Sequence, residues 1–304
     1  MGINDGRVVI VTGSGRGIGR EHALAYAATG AKVVVNDLGG DARGEGGSLS
    51  PAMETVEDIK GMGGEAIANG ENVADFEGAR RLIEAAVDSF GHLDALVNNA
   101  GILRDRMLVN MTEAEWDAVI EVHLKGTFAP SHWAAVHWRE RAKKAEHNDA
   151  RIINTTSVSG LVGNVGQTNY GAAKAGIAAF TIIAAQELEP YGVTVNAISP
   201  GARTRMTENL ARRQADAPSE DFDARAPENV SPLVAWLASS ESAGVTGRVF
   251  GMRGGRLSLL QGWNQAAEID RQARWKAEEI APAVRELLSR VSTDVAQSTQ
   301  SAPA

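Results

Sequence analysis

Residues 7–19 constrain the fold of this 304-residue chain more than any other stretch, because they predict three consecutive structural features. They read Arg-Val-Val-Ile-Val-Thr-Gly-Ser-Gly-Arg-Gly-Ile-Gly, an apolar run typical of a strand covered on both faces, then a glycine turn and a helix start. Gly13, Gly17 and Gly19 allow a tight turn, close approach of the backbone to a pyrophosphate, and close packing of helix on strand. The positive N-terminus of the helix that begins near Gly17 would bind phosphate.

Apolar strand-like runs alternate with helical segments along most of the chain. This alternation predicts an α/β fold with six or seven strands in a single doubly wound parallel sheet of the Rossmann type, joined by right-handed crossovers. Ligands of such sheets bind at the carboxyl ends of the strands. The residues expected to converge at that edge are Asp37, Asn99, Ser157 and Pro200.

Tyr170 and Lys174 are four residues apart in a segment with helical character, so they share one helix face. Ser157 precedes Tyr170 by thirteen residues, after the strand-like run 151–155, and a glycine-punctuated loop can return its hydroxyl to the phenol. A hydroxyl donor, a phenol and an ammonium suit hydride transfer at a secondary alcohol or ketone. The cation favours phenolate and lowers the tyrosine pKa, while the serine holds the substrate oxygen.

Five motifs of this chain occur in the order and spacing of the short-chain dehydrogenase/reductase family, which it resembles over roughly residues 5–255. They are Thr12-Gly-x-x-x-Gly-x-Gly, Asn98-Asn-Ala-Gly, Ser157, Tyr170-x-x-x-Lys174 and Pro200-Gly. The stretches that begin at Val35, Ala100 and Val122 are more particular. They resemble the (3R)-hydroxyacyl-CoA dehydrogenase domain of type 2 multifunctional enzymes, also described as 17β-hydroxysteroid dehydrogenase type 4, and its free-standing bacterial relatives.

The resemblance implies a dinucleotide cofactor and assigns residues to it. These are Gly13, Ser14, Arg16, Gly17, Ile18, Gly19, Asp37, Asn72, Val73, Asn99, Ala100, Gly101, Tyr170, Lys174, Pro200, Gly201 and Thr204. Asp37 follows the second strand, where a carboxylate can bind both ribose hydroxyls and repels a 2′-phosphate. Arg16 favours NADP instead, because relatives that use NADP often carry arginine at this position. We predict NAD.

Two positions depart from the common family pattern. Asn72 stands where an aspartate usually meets the adenine amino group, although an amide oxygen can accept the same hydrogen bond. His123 replaces the usual catalytic asparagine, as it does in multifunctional-type relatives. The resemblance therefore predicts Ser157, Tyr170, Lys174 and His123 as the catalytic residues. A proton relay through His123 and a purely packed imidazole both remain open.

The leading functional interpretation is an NAD-dependent oxidoreductase acting on a (3R)-3-hydroxyacyl-CoA, with Tyr170 as the base. A 17β-hydroxysteroid or steroid side-chain thioester and a 3-oxoacyl reductase activity are alternatives within the same class. From a different class, a catalytically idle nucleotide-binding scaffold has the same fold, since fold alone does not prove function.

Composition excludes several other classes. The net charge of −8 without a basic stripe argues against nucleic-acid binding. The chain has no cysteine, and its six histidines lack metal-ligand spacing, so we predict neither disulfides nor a metal site. No leader is recognisable and no apolar run approaches the ~20 residues of a membrane span. We expect a cytoplasmic protein, outside membranes, that forms a homodimer or homotetramer.

The expected domain organisation has three parts. Residues 1–256 form the NAD-binding domain, residues 257–292 a helical extension, and residues 293–304 a disordered tail. The glycine-rich residues 38–50 are expected to form an irregular loop near the adenosine end of the cofactor. Residues 207–229 are interpreted as a substrate lid or as a variable surface loop.

Overall fold

The computed structural model describes residues 2–203 and 222–291. These residues form one eight-stranded sheet with the order β3-β2-β1-β4-β5-β6-β7-β8. Seven strands are parallel, and β8 runs antiparallel to β7 at the edge. The strands are β1 (Val8–Thr12), β2 (Lys32–Asn36), β3 (Ala66–Asn69), β4 (Ala95–Asn98), β5 (Ala150–Thr155), β6 (Val193–Pro200), β7 (Val249–Arg253) and β8 (Arg256–Leu260).

Helices cover both faces of the sheet. They are α1 (Gly17–Ala28), α2 (Ser50–Gly61), α3 (Phe76–Phe90), α4 (Glu113–Ile120), α5 (Gly126–Lys143), α6 (Val158–Leu161), α7 (Thr168–Leu188), α8 (Ser231–Leu237) and α9 (Ala277–Arg290). One buried apolar cluster joins α1, α2 and α8 to the sheet, and a second joins α3, α5 and α7 to its other face. Because successive strand residues point to opposite faces, Val9 and Val11 belong to the first cluster, and Val8 and Ile10 to the second.

The parallel sheet and the alternation of strands with helices agree with the sequence-based prediction. The eighth strand was not predicted. Its apolar residues Leu257 and Leu259 are 59% and 57% exposed, so this strand lacks the buried apolar run that marks a central strand. Residues 38–49 are irregular, as expected.

The helical region after Thr112 is interrupted. At its start, Thr112 and Glu115 form a reciprocal capping box at the N-terminus of α4. A five-residue π-helical turn, Glu121–Lys125, then separates α4 from α5. Such turns occur frequently at functional sites, and this one carries His123.

The strand order reverses between β1 and β4, which opens a crevice at the carboxyl edge of the sheet. None of the helices in residues 2–203 and 222–291 is both long and apolar enough for a membrane span. Thr204, most of the predicted lid 207–229 and the predicted disordered tail lie outside the described residues.

Candidate active site

A cavity of about 560 Å³ runs along the carboxyl edge of the sheet. The glycine turn and Asp37 line one end, whereas Ser157, Tyr170 and Lys174 line the other. The fold therefore brings the predicted dinucleotide end and the predicted catalytic end into one continuous space. Residues from the ends of β1, β2, β4, β5 and β6 meet there, as expected for a doubly wound sheet.

The glycine turn needs its glycines for two different reasons. Gly13 and Gly17 have φ values of 63° and 57°, which L side chains rarely adopt. Gly19 is needed for close approach, because a Cβ there would lie 2.2 Å from the Gly13 carbonyl oxygen. The N–H groups of the first turn of α1 have no acceptor within the helix, and Gly17, Ile18 and Gly19 line the cavity. This arrangement suits a phosphate.

Asp37 lies directly after β2, and its carboxylate contacts the backbone of the glycine turn. Its Oδ2 accepts a hydrogen bond from Gly15 N at 2.8 Å, and its Oδ1 accepts one from Gly39 N at 2.7 Å. Each carboxylate oxygen retains a further lone pair for a ribose hydroxyl. Arg16 is exposed at the cavity wall, and within residues 2–203 and 222–291 it makes no side-chain hydrogen bond or ion pair.

The middle of the cavity is lined by the segments that follow β3 and β4. Asn72 Oδ1 accepts a hydrogen bond from Ala74 N at 2.9 Å, which leaves one lone pair of the amide oxygen for a ligand. Asn99 Nδ2 donates to the carbonyl oxygens of Thr12 and Gly13 at 3.0 and 3.2 Å, and this fixes the β4 loop against the glycine turn. Further lining residues from these segments are Val73, Ala100 and Gly101.

Tyr170 projects from the first turn of α7, and its phenol lies near the Ser157 hydroxyl at the cavity wall. Burial raises the pKa of Tyr170, the nearby Ser157 hydroxyl opposes this rise, and the Asp105 carboxylate adds to it. This direction is opposite to the sequence-based expectation that Lys174 lowers the tyrosine pKa. Burial of the phenol is the largest cause of the shift.

Lys174 is 3% exposed and lies one helical turn beyond the tyrosine. Its Nζ donates to the Thr155 carbonyl oxygen at 2.6 Å and lies 5.6 Å from the centroid of the Tyr170 ring. Burial lowers the pKa of Lys174 to about 7. The amine therefore titrates near neutral pH, so it can change charge within the working range of an enzyme.

His123 is buried beside this pair, with its ring edge-on to Tyr170 at a centroid distance of 5.1 Å. Its Nε2 lies 2.8 Å from the Ile102 carbonyl oxygen, whereas Nδ1 has no protein partner in the described part of the chain. Burial, with a contribution from the nearby Lys174 charge, lowers the pKa of His123 to about 3. The imidazole is therefore neutral at physiological pH.

Two residues predicted to bind the cofactor, Ser14 and Gly201, are not among the residues that line the cavity. The Ser14 hydroxyl points inward and donates to the Val11 carbonyl oxygen at 2.7 Å, and the Ser14 amide donates to the Asn36 carbonyl oxygen. Gly201 packs instead against Arg253, where a Cβ would lie 2.8 Å from the arginine Cβ. Pro200 does line the cavity, and Thr204 lies outside the described residues.

The loop after Asp37 lies along the dinucleotide end of the cavity, as expected for residues 38–50. Two further lining residues, Ser159 and Gln167, lie near Ser157 and Tyr170 and were not singled out from the sequence. Both residues belong to the glycine-punctuated stretch between Ser157 and Tyr170, which has no periodicity to reveal which side chains face inward. The only local signal was the position of Gln167 directly before the helix that carries Tyr170.

Comparison with known proteins supports this arrangement. Residues 7–215 match the family model described as short chain dehydrogenase. Hydroxyacyl-CoA dehydrogenase ChsB1 of Mycobacterium tuberculosis is 44% identical over 261 residues, which cover 84% of this chain and 80% of that protein. Peroxisomal multifunctional enzyme type 2 of Mus musculus is 42% identical over 257 residues, but these cover only 33% of that longer protein.

A solved structure is similar over almost the whole chain. The crystal structure of a short chain dehydrogenase from Mycobacterium avium is 55% identical and has a TM-score of 0.86, covering 96% of this chain and 97% of that one. The motif-based resemblance to this family and to the multifunctional type is thereby confirmed.

Proposed function

This chain belongs to the short-chain dehydrogenase family, and from that premise we propose that it oxidises a secondary alcohol to a ketone with NAD. We propose a (3R)-3-hydroxyacyl-CoA as the substrate. One observation carries the catalytic part of the proposal: Ser157, Tyr170 and Lys174 converge at one end of the cavity that begins at the glycine turn. Members of the family generally bind NAD or NADP.

The dinucleotide fits the residues present. The first turn of α1 offers unpaired N–H groups to the pyrophosphate, and the Asp37 carboxylate offers free lone pairs to the adenosine ribose. When bound, the nicotinamide supplies or accepts the hydride. A carboxylate at this position would repel a 2′-phosphate, which is why we propose NAD rather than NADP.

In alcohol oxidation, Tyr170 accepts the proton of the substrate hydroxyl. Ser157 holds the same substrate oxygen through its hydroxyl and stabilises the charge that develops there. Lys174, when protonated, favours the phenolate form of Tyr170. His123 is neutral, so its proposed part is to hold the Ile102 backbone beside the tyrosine rather than to carry a positive charge.

The substrate class rests on the relatives rather than on the geometry. The names of the Mycobacterium tuberculosis and mouse proteins point to hydroxyacyl-CoA and multifunctional enzymes. The same three side chains would serve a 17β-hydroxysteroid, a steroid side-chain thioester, or the reverse reduction of a 3-oxoacyl group. An idle scaffold is disfavoured, because both Tyr170 and Lys174 are present and lie at the cavity.

The test is NADH formation from NAD with matched (3R)- and (3S)-3-hydroxyacyl-CoA esters and a 17β-hydroxysteroid. We expect turnover of the 3R ester alone. Turnover of the steroid alone would retain the catalytic residues but overturn the thioester assignment. If none of the three substrates reacts while NADH still binds, the scaffold interpretation replaces the proposal.

A further inference from the structure

Gln167 lies on the segment between Ser157 and Tyr170, and its side-chain amide makes three hydrogen bonds. The residue is only 5% exposed. Its Oε1 accepts hydrogen bonds from Ser159 Oγ at 2.7 Å and from Asn164 Nδ2 at 2.9 Å. Its Nε2 donates to Asp105 Oδ2 at 2.9 Å. A buried amide held in this way has a single preferred orientation, because turning it would point its oxygen at the Asp105 carboxylate and its N–H groups at the Asn164 Nδ2 donor.

These hydrogen bonds join the two elements that carry the catalytic hydroxyls. Ser159 lies two residues after Ser157 in α6, and its amide donates to Ser157 Oγ at 3.2 Å. Gln167 itself directly precedes α7, three residues before Tyr170. The Gln167 amide therefore links the segment that carries Ser157 to the start of α7, and this link includes no ligand.

Asp105 provides a fixed anchor for this amide, because its segment is tied to the start of α7 at two more points. Arg106 N donates to the Gly166 carbonyl oxygen at 2.8 Å. Asn169, which is fully buried, donates from Nδ2 to the Arg104 carbonyl oxygen at 3.1 Å and accepts the Tyr170 amide at 2.7 Å. Residues 104–106 and 166–169 are thus held together by direct hydrogen bonds.

We infer that Gln167, oriented by Asp105, is a positioning residue that sets the separation and alignment of the Ser157 hydroxyl and the Tyr170 phenol. This inference rests on the proposed alcohol oxidation and deepens it. Both hydroxyls must contact one substrate oxygen, and small displacements of such groups lower kcat strongly. Gln167 acts through Ser157 and Tyr170, so its loss lowers kcat more than it raises KM.

The charge environment of the phenol makes a second readout possible. The groups that face Tyr170 are Lys174 on its own helix, the neutral His123 on the π-helical turn, and the Asp105 carboxylate from the segment after β4. The neighbouring arginines on that segment are paired, Arg104 with Glu45 and Arg106 with Glu115. An added negative charge at position 167 would therefore raise the pKa of the phenol.

The decisive experiment is a double-mutant cycle between these two residues. In Gln167→Glu the donor to Asp105 is lost and two carboxylates face each other, so we expect kcat to fall about tenfold or more, from ~1.4 kcal/mol or more of lost transition-state stabilisation. In Asp105→Asn the amide oxygen can still accept from Gln167, so the loss is small. In the double variant, the new amide at position 105 donates to the new carboxylate at position 167, and we expect kcat within about threefold of wild type.

The matched control is Gln186→Glu, the same charge change at an exposed position of α7, which should leave kcat unchanged. The phenol itself is titrated by ultraviolet absorbance, using Tyr170→Phe to identify its contribution among the three tyrosines. We expect its midpoint to rise in Gln167→Glu and to return in the double variant.

The inference is overturned if Gln167→Glu keeps both the wild-type kcat and the wild-type phenol titration, or if Asp105→Asn fails to rescue it. The titration needs no substrate. If wild-type protein oxidised none of the offered alcohols, the proposed function would fail, whereas the titration would still decide the Gln167 inference.

Discussion

At the scale of single residues, burial sets the protonation of the two proposed catalytic groups, Tyr170 and Lys174. It raises the pKa of Tyr170 and lowers the pKa of Lys174 to about 7, because both groups lose solvation of their charged forms. The pair therefore favours the neutral phenol at neutral pH. Base catalysis by Tyr170 should increase with pH through the alkaline range, where the phenolate forms.

Tyr170→Phe should lower kcat by about 10²–10⁴-fold, the usual contribution of a general base. NADH affinity, measured by fluorescence titration, should change by less than about threefold, because the aromatic ring remains in place. Tyr191→Phe is the matched control, since Tyr191 lies in the turn after α7, outside the residues that line the cavity. Retention of most activity in Tyr170→Phe would show that another group is the base.

Asp37→Ala should reduce the preference for NAD over NADP by about tenfold or more, because a charged hydrogen bond contributes ~1.5–3 kcal/mol. The ratio of kcat/KM for the two cofactors measures this preference. Asp37→Asn separates charge from shape: it retains an oxygen acceptor beside Gly15 and Gly39 but no longer repels a phosphate. An unchanged ratio in both variants would remove Asp37 from cofactor selection.

At the scale of secondary-structure elements, the π-helical turn between α4 and α5 decides where His123 points. The turn places the imidazole against Gly101, where an added Cβ would lie 2.3 Å from the ring Cε1. Position 101 must therefore be glycine, because any larger side chain would clash with the His123 ring. The π-helical turn and the Asn-Asn-Ala-Gly segment thus form one packed unit behind Tyr170.

Gly19→Ala should destabilise the junction of β1 and α1. Its Cβ would lie 2.2 Å from the Gly13 carbonyl oxygen and 2.5 Å from Asn99 Nδ2, so backbone must move, at a cost of about 1–3 kcal/mol. Chemical denaturation and NADH titration should show lower stability and weaker binding together. Gly61→Ala, at the end of α2 with no atom within 4 Å of the new Cβ, should be neutral or slightly stabilising. Equal behaviour of the two variants would contradict the steric argument.

At the scale of the whole molecule, acid sensitivity should follow from histidines that are buried in the neutral form. His22 on α1 lies 2.9 Å from Ser231 Oγ on α8, and burial lowers its pKa to about 3. The unfolded chain takes up protons below its ordinary value of 6.5, whereas the folded chain does not. The free energy of unfolding should therefore fall as pH drops from about 6.5 towards 3, and His123 adds to the same window.

Urea denaturation between about pH 7 and about pH 4 tests this prediction. His22→Asn should show a shallower loss of stability with acid, even if it is less stable at neutral pH. His147→Asn, at an exposed position, should retain the wild-type slope. An unchanged slope in His22→Asn would mean that other groups govern acid unfolding.

The amino-acid sequence alone was sufficient to predict the sheet and its parallel strands, and to predict that Ser157, Tyr170 and Lys174 lie at one cavity. These features are encoded locally. The first strand, Val8–Thr12, is buried throughout, and the turn after it has positive φ angles that glycine adopts readily, at Gly13 and Gly17. Tyr170 and Lys174 share a helix face because they are four residues apart. A local pattern of this kind needs no knowledge of distant residues.

Features that depend on what surrounds a side chain became evident only in the folded protein. Burial raises the pKa of Tyr170, whereas the sequence predicted a lowered pKa. The Ser14 hydroxyl donates its hydrogen bond within the chain, to the Val11 carbonyl oxygen. The antiparallel β8 is stabilised by pairing with β7 and carries no buried apolar signature of its own. The orientation of the Gln167 amide depends on a hydrogen bond to Asp105, which is 62 positions away in the chain. Burial and long-range hydrogen bonds are properties of the packed molecule, and no local pattern specifies them.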